Sequence, residues 1–466
     1  MNREVLGHET LCILFIYLFV ADDVLFARFL SLLLSLSLSV SVRLCACVLK
    51  ESIVSMGASN SVFVALCNIV KSFCTHSFEL SVIIFAGVVA YFICMRFMDP
   101  VCMKLLERRI CGIDINKTTL EKRRKIAEKP LKALEEEERR LVVPESLGIL
   151  AGAVYLCVLV LELAIVFGPS MHKLDGAITA ITVMLLLGFV DDVLDVRWRH
   201  KLLLSAIGTF PVMLTYDGSV SIAVPRPLLP YFSTSFVYLG VFYLLYLGLL
   251  CIFCTNSINI LAGVNGVEVA QSIVIAFTCV VYNIFQLRLE MEFQDGLDGS
   301  GDMCVHKIGT DGGGSMHELM AIALLAPFIG VSIALWHYNQ YPARIFVGDS
   351  YTYFAGTVLA VAGVTGQYGK TLMLFFLPQL INFALSLPQL FHVVPCPRHR
   401  VPRWNAKQDV LQNSGNYTLL NAILWAYGDM HERALTNAVV KMQVCCCVFG
   451  LLVRYIFASY LYDHIQ

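Results

Sequence analysis

Apolar stretches long enough to cross a bilayer recur along the chain, and that repetition limits the fold more than any other feature. They cover residues 80–96, 147–167, 174–190, 202–216, 236–255, 267–287, 319–336, 351–366, 372–391 and 438–456. An open sheet edge cannot satisfy its backbone in lipid, so each stretch is expected to be a helix. The sequence therefore predicts an all-α polytopic membrane protein with about ten transmembrane helices. The fourth and eighth stretches are short and contain Pro211 or several glycines. Composition agrees, with 58% of the 466 residues hydrophobic and 15% charged. Soluble domains run nearer a quarter charged, and disordered chains are more polar still, so both classes are excluded. A net charge of −1 gives no field that would attract nucleic acid, and no such partner is expected.

Where the charges sit sets the orientation. The segment 99–144 holds twelve basic residues, from Lys104 to Arg140, which assigns it to the cytosol. Alternation then places loops 99–146, 191–201, 256–266, 337–350 and 392–437 on the cytosolic face. The insert 288–316, with six acidic residues against Arg288 and Lys307, falls on the luminal side. Residues 1–76 read as an N-terminal leader of unassigned role, and 77–466 as the membrane domain. The cytosolic insert 118–143, with its acidic run Glu135–Glu138, reads as a solvated charged helix. Most of the 17 cysteines lie in apolar runs and act as small hydrophobes; the pair Cys251 and Cys254 is read the same way.

Every chemically loaded segment falls on the cytosolic face. Asp191, Asp192 and Asp195 end the third stretch, followed by Arg197, Arg199, His200 and Lys201. A continuing helix would put Asp191 and Asp195 on one face. Such carboxylates either pair with Arg197 and Lys201 at a hydrated helix end or face a polar cavity. Asn256, Asn259, Gly263, Asn265, Gly266 and Glu268 follow the fifth stretch. So many amides and glycines exceed what an ordinary helix cap uses, and suggest a turn that offers oxygen acceptors and open N–H groups to a ligand. Asp349, after Arg344, Phe346 and Gly348, stands at a helix entrance, where a capping carboxylate is ordinary. Arg398, His399, Arg400 and Arg403 lie among Pro395, Pro397 and Pro402; they read as a topology anchor or as a preorganised phosphate clamp. Carboxylates, amides and guanidinium groups together are the inventory of phosphoryl transfer.

Four ordered motifs carry a family resemblance: G-F-V-D-D-V-L-D-V-R-W-R-H-K, N-S-I-N-I-L-A-G-V-N-G, F-V-G-D and P-C-P-R-H-R. With C-G-I-D-I-N-K, P-E-S and M-H-E-R, the chain from about Leu80 onward resembles the eukaryotic N-acetylglucosamine branch of the polyprenyl-phosphate phosphosugar transferases. The resemblance implies attack of dolichyl phosphate on the β-phosphorus of UDP-GlcNAc, giving GlcNAc-diphosphodolichol and UMP. It implies Mg²⁺ held at Asn259 and Asp349, and uracil and ribose recognition by Phe346, Gly263, Asn265 and Glu145, with Ile115 near the base. Arg400 would hold the pyrophosphate, while Arg398 and His399 would help fix the diphosphate and sugar. Lys201 with Asp191 and Asp192 would position the acceptor phosphate, with Trp198 close to the lipid phosphate. It further implies an endoplasmic reticulum membrane location and tunicamycin sensitivity; a homodimer is compatible with it.

The chain departs from the family pattern at Asp195, where relatives usually carry Asn, and in its two inserts and leader. Competing readings are a sister transferase with another UDP-sugar donor, a multi-spanning transporter, or a catalytically dead scaffold. A transporter would carry its ionisable residues near mid-bilayer rather than at one face. The sequons at Asn116 and Asn416 are expected to stay unglycosylated if both are cytosolic.

Overall fold

The computed structural model describes residues 76–114, 117–118, 120–129, 134–139, 141–231, 234–297, 314–397 and 400–462. The chain forms two compact units divided at Ser81; of the first, only the stretch 76–81 is described. The second, Val82–Gln466, holds the features that follow. The leader and most of the insert 288–316 lie outside the described residues.

Helices occupy all ten expected places. In chain order they are α1 (Ser77–Glu107), then α2 (Leu120–Glu128) and α3 (Glu136–Arg139) in the insert 118–143, and α4 (Gly148–Val166), α5 (Asp175–Leu194) and α6 (Trp198–Leu214). There follow α7 (Val241–Ile260), α8 (Val267–Leu297), α9 (Gly314–Asn339), α10 (Gly348–Thr365), α11 (Gly369–Phe375), α12 (Leu377–Leu390), α13 (Leu419–Tyr427) and α14 (Glu432–Leu452). Seven are long and apolar enough to cross a membrane, and α11 with α12 form an eighth candidate bent by 72°. The expected count of ten is thus not reached by length and composition. The stretch 372–391 is broken where Pro378 follows the junction at Phe376. Helix α6 has 17 residues with Pro211 inside it.

The shortfall at α10 has a packing cause. Every residue from Ser350 to Val364 is buried, because α4, α5, α7, α8 and α9 all pack against this helix. A helix enclosed by other helices needs small residues for close approach rather than a lipid-facing apolar surface. A Cβ on Gly188 of α5 would come within 2.5 Å of the Asp349 carbonyl oxygen, and one on Gly356 would strike the backbone of α7 at Cys254. The buried Gln379 ties three helices together, donating to Gln271 and Gln443 at 2.7 Å each. Cys251 and Cys254 are buried free thiols.

Three short antiparallel hairpins complete the fold. Strands β1 (Cys111–Ile113) and β2 (Val142–Pro144) pair with Cys111 opposite Pro144. They close the base of the insert 118–143. Strands β3 (Ser221–Ala223) and β4 (Phe236–Tyr238) pair between α6 and α7. Strands β5 (Arg403–Asn405) and β6 (Val410–Gln412) precede α13. Leu411 of β6, Leu420 and Leu424 of α13 and Leu435 of α14 form one apolar cluster with Leu261 and Val264. That cluster backs the turn after α7 and fixes its position.

Candidate active site

A cavity of about 550 Å³ opens where the C-terminal end of α7 meets the N-terminal end of α10 and the β1–β2 hairpin. Glu145, Gly263, Asn265, Phe346 and Asp349 line it. N-S-I-N-I-L-A-G-V-N-G and F-V-G-D meet here with C-G-I-D-I-N-K and P-E-S, and Val401, one residue past P-C-P-R-H-R, lines the same cavity.

Asp349 is the hub of one wall. It stands in the first turn of α10, but it is not the cap of that helix; Val347 occupies the cap position and offers no side-chain bond. The cap is imported. Asp192, at the end of α5, accepts from the N–H of Asp349 at 2.6 Å and of Ser350 at 3.1 Å. These are orphan donors of the helix start, and a carboxylate there also meets the positive end of the helix dipole. Gly348 makes room for it, with φ +73° and a position where any Cβ would strike the Asp192 carboxylate. The Asp349 carboxylate is thereby free to face Asn259, whose Nδ2 donates to Oδ1 at 2.6 Å, and Lys201, whose Nζ lies 3.4 Å from Oδ2.

Asp191 is 3% exposed and fully engaged. It pairs with Lys201 at 2.5 Å, accepts from the Val196 N–H at 3.0 Å and from the Tyr353 hydroxyl at 3.3 Å. The expectation that Asp191 and Asp195 share a helical face is corrected. Helix α5 stops at Leu194, and Asp195 takes a left-handed conformation, φ +50°, as its C-terminal cap. Asn and Asp are the side-chain-bearing residues that best tolerate this conformation, which explains why either is accommodated there.

The opposite wall is the turn after α7. Gly263 (φ +102°) and Gly266 (φ +83°) supply the left-handed positions it requires. The sequence suggested N–H groups open to a ligand, but two of them are taken. The Gly263 N–H donates to Glu268 at 3.0 Å and the Asn265 N–H to Glu432 at 2.8 Å. The Asn265 side chain donates to Asp114 at 3.3 Å, and Asp114 also pairs with Lys117 at 2.7 Å. Three carboxylates thus brace the turn, and the Gly263 and Asn265 N–H groups are not open to a ligand. Asn256 bonds back to its own helix at Ile252.

Glu145 follows β2. Burial, and then the charge of Asp192, pushes its carboxyl above the usual range. Phe346 hydrogen-bonds to the same hairpin, its N–H donating to the Pro144 carbonyl at 2.8 Å. Arg400 precedes the cavity-lining Val401; its Nη1 is buried with no partner, while its carbonyl accepts from Asn421 at 3.2 Å. Trp198 opens α6, one turn ahead of Lys201. Ile115, Arg398 and His399 lie outside the described residues, as does Asn116. The Asn416 amide is engaged by Gln389 and Ser414.

Sequence reasoning gave Asp114, Glu432, Asn339 and Arg123 no role, though Glu432 braces the turn and the other three line the cavity. M-H-E-R contained Glu432 and C-G-I-D-I-N-K contained Asp114, so two were within reach. Arg123 belongs to the insert expected to be solvated, where burial of Ile126 and Leu134 now shows a packed face.

The model of glycosyl transferase family 4 matches residues 175–367, from the start of α5 to just beyond α10. A UDP-N-acetylglucosamine–dolichyl-phosphate N-acetylglucosaminephosphotransferase of Leishmania amazonensis is 48% identical, covering 84% of this chain and 96% of that protein. The protein of that name in Dictyostelium discoideum is 40% identical over 67% of this chain and 77% of its own length. That of Schizosaccharomyces pombe is 32% identical, over 81% and 92%. With near end-to-end similarity to these proteins, the chain belongs to the UDP-N-acetylglucosamine–dolichyl-phosphate N-acetylglucosaminephosphotransferase family.

Proposed function

We propose that the chain transfers GlcNAc-1-phosphate from UDP-GlcNAc to dolichyl phosphate at the cytosolic face of the endoplasmic reticulum membrane. An oxygen of dolichyl phosphate attacks the β-phosphorus of the donor, a new P–O bond forms, and the bond to the bridging oxygen breaks. UMP leaves with that oxygen. The observation that carries the reading is the position of Asp349, set at the cavity rim by Asp192 and reached by both Asn259 and Lys201.

The residues divide the work. Phe346, Asn265 and Glu145 line the part of the cavity suited to the nucleoside. The unpartnered Nη1 of Arg400 is a ready donor for diphosphate oxygens. Lys201, held between Asp191 and Asp349, offers its charge to the acceptor phosphate. A phosphate monoester is already largely ionised near pH 7, since its second pKa is about 6. No general base is required, and Asp191 with its three partners orients Lys201. Asp192 acts by positioning Asp349.

Asp349 and Asn259 would hold Mg²⁺. Their carboxylate and amide oxygens are hard donors, and so small a set leaves places for phosphate oxygens, as Mg²⁺ favours. When bound, the ion neutralises charge on the diphosphate. The test is UMP release from UDP-GlcNAc by purified protein, with and without dolichyl phosphate. Release should require the lipid, and Asp349→Ala should lower it by about 1000-fold or more. Full turnover in that variant would remove Asp349 from the chemistry.

A further inference from the structure

The insert between β1 and β2 does more than extend into solvent. Its two ends are tied together at the cavity wall by the hairpin, with Ile113 opposite Val142. The Thr118 hydroxyl donates to the Asp114 carbonyl at 2.6 Å, and Lys129 pairs with Glu138 at 2.8 Å beyond the end of α2. Helix α2 has two unlike faces. Glu121 and Lys125, one turn apart, pair in solvent with side chains 81% and 67% exposed. Arg123 and Ile126, three apart on the other side, turn inward: Ile126 is 2% exposed and Arg123 lines the cavity.

The charge of the cavity gives Arg123 a task. Asp114, Glu145, Glu268 and Asp349 line it, and among its described lining residues Arg123 is the sole cation. Its Nε is buried with no hydrogen-bond partner. A buried guanidinium donor left unmet costs free energy, which an oxygen-rich anion in the cavity would repay. A nucleoside diphosphate entering among four carboxylates also needs positive charge near its phosphates.

We propose that Arg123 is a donor-binding residue, its guanidinium donating to phosphate oxygens of the nucleotide from a helix supplied by the insert. This rests on the nucleotide-sugar reading of the cavity given above. The full chain in lipid nanodiscs tests it, with Arg123→Ala and Arg123→Gln set beside Lys125→Ala, which removes an equal charge from the solvent face of α2. For Arg123→Ala the KM for UDP-GlcNAc should rise about tenfold, kcat stay within about twofold, and the KM for dolichyl phosphate hold. Affinity for UDP should fall by the same factor, while affinity for uridine is unchanged. Arg123→Gln should lie between, and Lys125→Ala should match the wild type. An unchanged donor KM in Arg123→Ala overturns the proposal, as does an equal loss in Lys125→Ala or an equal loss for uridine. Absence of UMP release by the wild type would instead strike the activity itself, and UDP binding would still judge Arg123.

Discussion

The two walls of the cavity use the same chemical group for different ends. On the α5–α10 wall, Asp349 meets side chains, Asn259 and Lys201, and keeps a third of its surface open. On the wall formed by the turn after α7, Glu268 and Glu432 are spent on main-chain N–H groups. What a carboxylate bonds to separates chemistry from scaffold. By that criterion Asp192, although beside Asp191 in the sequence, belongs with the braces.

The division can be broken by substitution. Asp192→Ala leaves two donors of α10 without an acceptor, and each loss of this kind costs about 1–3 kcal/mol. Transfer should drop on the order of 100-fold together with the melting temperature. Asp192→Asn keeps one of the two acceptor oxygens, so it should recover part of both; equal damage in the two variants would mean that the charge acts on substrate. Glu432→Ala frees the Asn265 N–H, so the donor KM should rise about tenfold with kcat nearly unchanged. A loss confined to kcat would place Glu432 with the chemistry instead.

Glu145 gives a smaller, pH-dependent effect. Its carboxyl lies above the usual range, so it protonates while ordinary carboxylates remain charged. Donor KM should therefore climb on the acid side earlier than an unshifted glutamate allows, by about threefold, and Glu145→Gln should flatten that limb. The stability sign is opposite. Below the ordinary carboxylate range both folded and unfolded states are protonated; as pH rises through the raised value the folded state takes on a desolvated charge and loses stability. Glu145→Gln should accordingly melt slightly higher than the wild type at neutral pH and equally in acid. Smallest of all is Asp195→Asn, which keeps a residue suited to the left-handed cap; activity within about twofold is expected. A large gain would show that the extra charge burdens the acceptor.

Much of this was legible in the sequence, for identifiable reasons. Lipid-length hydropathy located a helix at each of its ten stretches, since an apolar run of that size has few other fates, but it missed α13, which is too short for such a signal. At α10 length and composition do not mark a span, because residues such as Thr352, Gly356 and Thr357 answer to neighbouring helices rather than to lipid. Asp191, Asn259 and Asp349 were legible as short motifs. Their bonding was not: the import of Asp192 as a cap for α10 joins residues 157 positions apart. The end of α5 was also hidden, since Asp195 continues a four-residue acidic spacing as readily as it caps a helix. Arg123 was hardest, being one cation among many in a segment whose packed face rests, among the described residues, on Ile126 and Leu134.

Helix α10 has a consequence for how the enzyme meets membranes of different thickness. Helices that touch lipid answer a thicker or thinner bilayer by tilting or bending, at modest cost. Enclosed from Ser350 to Val364, α10 touches none, so that adjustment falls on its neighbours. Asp349 is mounted on a rod the bilayer cannot push directly, and its depth is set by the protein rather than by the surrounding lipid.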